Sequence, residues 1–72
     1  MQRGFRDTIK TSKGYVLIDS RNTFDHGFET MVFRCDQNGN VSNWLDIDVD
    51  RYFSYEEMLE GHVCMINKWR GV

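Results

Sequence analysis

The sequence predicts an α+β fold: a small antiparallel sheet of about four strands, covered on one face by a single C-terminal helix. Two observations point to it. Short β-branched and aromatic runs alternate with turn residues through residue 49. A capped amphipathic stretch with helical spacing follows at residues 54–69. The chain has 72 residues, 40% of them hydrophobic and 14% aromatic, which suits one domain, 1–72, with a modest core.

Phe5 to Thr11 alternates loosely and reads as the first strand. Ser12-Lys13-Gly14 is a turn, and Tyr15 to Ile18 is a short second strand. Arg21 to Asp25 reads as a polar loop. Phe28 to Asp36 is the third strand and Val41 to Val49 the fourth, joined by Gln37-Asn38-Gly39. A type I turn closed by Gly39 in a left-handed conformation would pair Cys35 with Val41 and Met31 with Leu45. That register collects Met31, Phe33, Cys35, Val41, Leu45, Ile47 and Val49 on one face. It turns Glu29 inward and Asp46 and Asp48 outward. A one-residue slip would scatter the set, so burial selects this register.

The helix begins at Ser54, an N-cap with Glu57 three residues on to complete a capping box. Glu56 and Glu57 in the first turn, and Lys68 and Arg70 in the last, suit the helix dipole. Gly71 is the stop. Tyr55, Met58, Leu59, His62, Met65, Ile66 and Trp69 recur at helical spacing and form the expected buried stripe.

Composition excludes several classes. Cys35 and Cys64 make no disulfide framework, and no apolar run has the length of a membrane span. The polar start lacks a signal peptide's apolar core, so a cytoplasmic protein with reduced thiols is expected. No nucleophile elbow or phosphate-binding glycine loop is visible, and an enzyme is not expected. The net charge of −2 hides an asymmetry. Residues 1–22 carry five bases against two acids, whereas residues 36–60 carry seven acids against Arg51 alone. The acidic flank disfavours nucleic-acid phosphate and favours a basic protein partner, although charge also simply keeps small domains soluble.

Two Cys and two His invite a zinc reading. A Cys2His2 site fails on geometry, because His62 and Cys64 point to different faces of a helix. Gly27 to Cys35 also spans roughly 26 Å if extended. A site built from His26 and His62, completed by Asp50, Asp25 or water, is compatible with the expected chain path. The helix travels about 12 Å from Ser54 to His62, which would bring His62 over Val49. The alternative is a core histidine on the helix and a turn histidine at 26. On the face away from the helix, Phe28, Val32 and Trp44 form an exposed patch beside Asp46 and Asp48, with Arg34 as its base. Such a patch marks a protein interface or a homodimer contact.

The strings Phe24-Asp25-His26-Gly27-Phe28-Glu29-Thr30-Met31-Val32-Phe33, Asn38-Gly39-Asn40-Val41, Trp44, Tyr55-Glu56-Glu57, Gly61-His62 and Lys68-Trp69 resemble a family of small phage and prophage proteins of Gram-positive bacteria. The resemblance spans roughly residues 15–70. It implies a site at the positions of His26, Val49 and His62, with a cysteine in relatives where this chain has Val49, so that Asp50 would have to take over that role. Phage proteins of this size often disable a host defence enzyme. By that analogy the expected function is an anti-CRISPR inhibitor of a Cas9-type nuclease in the host cytoplasm. Asp46, Asp48, Asp50, Glu56, Glu57 and Glu60 would steer the approach, and Phe28 or Trp44 would anchor it. The alternatives are a structural zinc-binding accessory protein and a small nucleic-acid-binding domain.

Overall fold

A computed structural model describes residues 4–23, 25 and 27–72. Strands β1 (Gly4–Thr11), β2 (Gly14–Thr23), β3 (Gly27–Cys35) and β4 (Asp48–Tyr52) form one antiparallel sheet in sequential order. Helix α1 (Tyr55–Arg70) packs across it. The expected α+β architecture is present. No helix among the described residues is long and apolar enough to cross a membrane.

β2 organises the fold. It runs to Thr23, taking in residues expected to be a polar loop, and it pairs with β1 on one side and β3 on the other. Val16, Leu17, Ile18, Asp19 and Ser20 are all buried, so the strand is covered on both faces. Val16 and Ile18 meet Val32 and Met65 in the core beneath the helix, with Ile9, Ile66 and Trp69 packed around them. Leu17 points the other way with its register partner Phe33, and both are also buried.

The β3–β4 connection departs from expectation. The turn itself forms as predicted: Gly39 has φ of 82° and its N–H donates to the Asp36 carbonyl. Asp36 Oδ1 accepts from the Asn38 and Asn40 amides. The Asn40 amide, then the Asn38 amide, holds the Asp36 carboxyl below its usual range. Asp36 N–H also donates to the Asn40 carbonyl, which is the expected register for one pair. The chain then leaves the ladder. Pairing resumes with Ile47 N–H on the Val32 carbonyl and Met31 opposite Val49 rather than Leu45. The fourth strand is therefore Asp48–Tyr52, not Val41–Val49. The extra residues lean over the face opposite the helix. Gly39 reaches β1 so closely that a Cβ there would lie 2.7 Å from Thr8 Oγ1. Trp44 sets its ring edge-to-face on Phe33, with centroids 4.9 Å apart.

This reverses the expected faces. Met31, Phe33 and Val49 do share a face, but it is the one crossed by the loop. Val32, expected outside, is fully buried under the helix, and Phe28 is half-buried against Tyr55. Asp48, also expected outside, faces the helix and accepts hydrogen bonds from Lys68 and Trp69. Cys35 is half-buried rather than buried.

The helix follows its sequence signals. The Ser54 side chain accepts from Glu57 N–H, while Glu57 Oε1 accepts from Phe53 N–H. Met58, His62 and Met65 are buried. Tyr55 and Leu59, expected in the stripe, are 37% and 39% exposed. Gly71 ends the helix in a right-handed conformation, φ −82°.

Candidate functional site

A hydrogen-bonded chain of side chains crosses the interior between sheet and helix. β1 contributes Asp7, β2 Ser20, β3 Thr30 and β4 Tyr52, and α1 contributes His62. These positions face the helix because Asp7, Ser20 and Thr30 share strand parity with Ile9, Ile18 and Val32. His62 Nε2 lies 2.7 Å from Asp7 Oδ2, and its Nδ1 lies 2.5 Å from Ser20 Oγ. Ser20 Oγ lies 2.5 Å from Thr30 Oγ1, which accepts from the Tyr52 hydroxyl at 3.1 Å.

The donors can be ordered. An ionised Asp7 only accepts, so Nε2 carries the proton, and in the neutral ring Nδ1 must accept from Ser20. Thr30 then donates to Ser20 and Tyr52 to Thr30. With that tautomer every donor points toward Asp7, the exposed end, where the side chain is 51% accessible. Ser20 and Thr30 have no exposure. No buried side-chain nitrogen or oxygen among the described residues lacks a partner. Burial pushes the Tyr52 hydroxyl above its usual pKa.

Gly61 makes the far end possible. A Cβ at that position would lie 2.2 Å from the Tyr52 ring, so only glycine lets the ring cross the helix and reach Thr30.

Asp, His and Ser in one hydrogen-bonded row invite comparison with a hydrolytic triad, but the arrangement is inverted. The carboxylate faces solvent and the hydroxyl faces the core. A nucleophile with no exposed surface cannot meet a substrate. The chain satisfies polar groups within a small core and fixes the orientation of strands and helix.

Two of the three residues expected to hold a metal, His62 and Asp50, are among the described residues. His62 sits over β1 and β2, where its Nδ1 meets Ser20 and its Nε2 meets Asp7. Asp50 is exposed on β4 and accepts from the Arg51 amide. His26 lies outside the described residues. Among the described residues, no three His, Cys, Asp or Glu side chains gather as a ligand set.

The acidic residues expected to face a partner divide into two kinds. Asp46, Asp50, Glu56 and Glu60 are exposed. Asp48 and Glu57 are occupied within the fold. Burial alone would raise the Asp48 carboxyl, but its bonds from Lys68 and Trp69 outweigh that and hold it below the usual range. The loop-crossed face is more basic than expected. Arg6 and Arg21 pair with buried Asp19, and Arg51 with buried Glu29. Arg6 also lies 5.9 Å from the Trp44 ring centroid. Trp44 remains 57% exposed.

Sequence reasoning missed Asp7, Ser20, Thr30, Tyr52 and Gly61 of the polar chain, and it missed Phe53. Phe53 stands just before the N-cap, where an apolar side chain ordinarily staples onto the first turns of the helix. Here it is 98% exposed, so it staples nothing. Its backbone is held by the N–H bond to Glu57, 3.0 Å, and its ring borders a cleft of about 410 Å³ lined by Gly27, Phe28, Arg51 and Tyr52. The available signal was the apolar residue in the staple position, which reads as structural until the tertiary fold leaves it bare.

Comparison with known protein families, curated proteins and solved structures finds no match for this chain.

Proposed function

We propose that the chain is a non-catalytic binding module that acts by protein–protein contact. The observation that carries this reading is Phe53, a fully hydrated aromatic held at a strand–helix junction. Leaving a phenylalanine in water forfeits roughly 1.5–3 kcal/mol of burial, which a partner's pocket would recover. Phe28 borders the same cleft. Exposed Asp50, Glu56 and Glu60 supply negative charge on the adjoining strand and helix, and so favour a basic partner surface.

The resemblance to small phage and prophage proteins extends the proposal to a partner. The chain would occupy a host defence nuclease, a Cas9-type effector whose nucleic-acid channel is basic. Phe53 and Phe28 replace Trp44 as the anchors, and the steering set contracts to Asp46, Asp50, Glu56 and Glu60.

The test is a DNA-cleavage assay with guide-loaded nuclease. The wild-type chain should inhibit, more weakly at high salt. Phe53→Ser should abolish inhibition while leaving the circular dichroism spectrum and melting curve unchanged. Equal inhibition by Phe53→Ser would remove the anchor, and no inhibition by the wild type would remove the nuclease as partner.

A further inference from the structure

Strand β1 is an edge. Among the described residues it pairs with β2 alone, so along its outer side every second residue presents an unpaired N–H and C=O. It is eight residues long, whereas β4 at the opposite edge has five. Its side chains differ by face. Arg6, Thr8 and Lys10 stand on the loop-crossed face and all are exposed. Phe5 and Ile9 stand on the helix face and are half-buried. The helix adds to that apolar row, because Tyr55 meets Phe5 with ring centroids 6.2 Å apart and His62 meets Asp7. Leu59 and Val63, one turn on from Tyr55 and from each other, are 39% and 55% exposed on that flank.

We propose that the β1 edge accepts an extended strand of another protein whose residues alternate between acidic and apolar. Main-chain hydrogen bonds would extend the sheet, and the alternating side chains would confer selectivity. Side chains on one face would meet Arg6 and Lys10, and those on the other would meet Phe5, Ile9 and the overhanging Leu59. A second copy of this chain is a poor occupant. Two-fold pairing of β1 with itself keeps both helices on one face, so residues of like parity must oppose. Centred on Asp7, that pairing sets Asp7 against Asp7. Centred on Thr8, it sets Arg6 against Lys10. These two registers engage most of the strand, and each opposes like charges. The β4 edge is shorter and presents Asp48 and Asp50 toward the helix face, so it repels an acidic strand.

This inference is independent of the Phe53 surface, and its test uses the intact chain. A fluorescent octapeptide alternating glutamate and valine should bind, with amide shifts and slowed hydrogen exchange concentrated in residues 4–11. Lysine in place of glutamate should abolish binding. Two N-methylated octapeptides, blocked on alternate residues in the two possible phases, should differ by more than about tenfold in affinity, because only one phase removes the ladder donors. Lys10→Glu, an exposed change, should weaken binding about two- to fivefold. Equal binding by both N-methylated peptides would overturn the proposal, as would amide shifts confined to β4. A concentration-dependent dimer with protected β1 amides would overturn it in favour of self-pairing. Displacement of the octapeptide by single-stranded DNA would overturn it in favour of phosphate.

Discussion

The two faces of the sheet are covered by different means. The helix face is sealed by one regular element, which brings Met65 onto Val16, Ile18 and Val32 and buries Met58 and His62 as well. The opposite face is crossed by an irregular excursion, residues 36–47, that sets Trp44 on Phe33 and leaves Leu45 68% exposed. The first face buries aliphatic side chains and a closed polar chain. The second buries Leu17 and Phe33 beside two carboxylates under arginines. A small domain with one helix still has two faces to cover, and here a loop covers the second without completing a core.

The contrast makes a ranked set of predictions. Ile18→Ala, on the helix face, should cost about 2–5 kcal/mol, since a fully buried side chain is removed from the centre of the sheet. Urea unfolding measures it, and a loss below that of Trp44→Ala would reverse the ranking of the faces. Gly61→Ala should cost about 1–3 kcal/mol, because the added methyl displaces the Tyr52 ring and breaks its bond to Thr30. The Tyr52→Phe background separates the two losses. Trp44→Ala should cost about 1 kcal/mol, the scale of an aromatic pair on a half-open surface.

Acid should act on the helix face through Asp48. Its carboxyl is held below the usual range in the folded chain, so the stability it lends is complete above the unfolded value of about 4 and is lost as pH falls below that. Asp48→Asn should flatten that part of a pH–stability profile, and an unchanged profile would show that Lys68 and Trp69 do not bind it in solution. The smallest effect belongs to Phe53→Ser, within about 0.5 kcal/mol of wild type by urea unfolding, because the side chain touches no core. A larger loss would mean that Phe53 serves the fold and is not free for a partner.

Much of this was legible in the sequence. Ser54, Glu57 and Gly71 mark the helix because capping is local chemistry, settled within one turn of chain. The turn at Asp36–Asn40 was legible for the same reason. The β3–β4 register was not. The predicted pairing forms at Asp36 and Asn40 and then fails, since nothing between Val41 and Asp46 signals that the chain leaves the ladder before rejoining it at Ile47. The shift is an even number of residues, so the parity of Met31, Phe33 and Val49 survived while their face was misassigned. The face is chosen by β2, which puts Val16 and Ile18 with Val32. The site was legible only in part. His62 reads as a buried histidine at helical spacing, but its partners Asp7 and Ser20 lie 55 and 42 residues away in sequence.

By itself the sequence determined the element types, the helix boundaries, the glycine turn and the charge asymmetry, because each follows from neighbours within a few residues. The tertiary structure alone decided which face the helix covers, what His62 touches and that Phe53 is left in water. Those outcomes depend on strand order and register, which join residues far apart along the chain and are selected by the packing of the whole sheet rather than by any local preference.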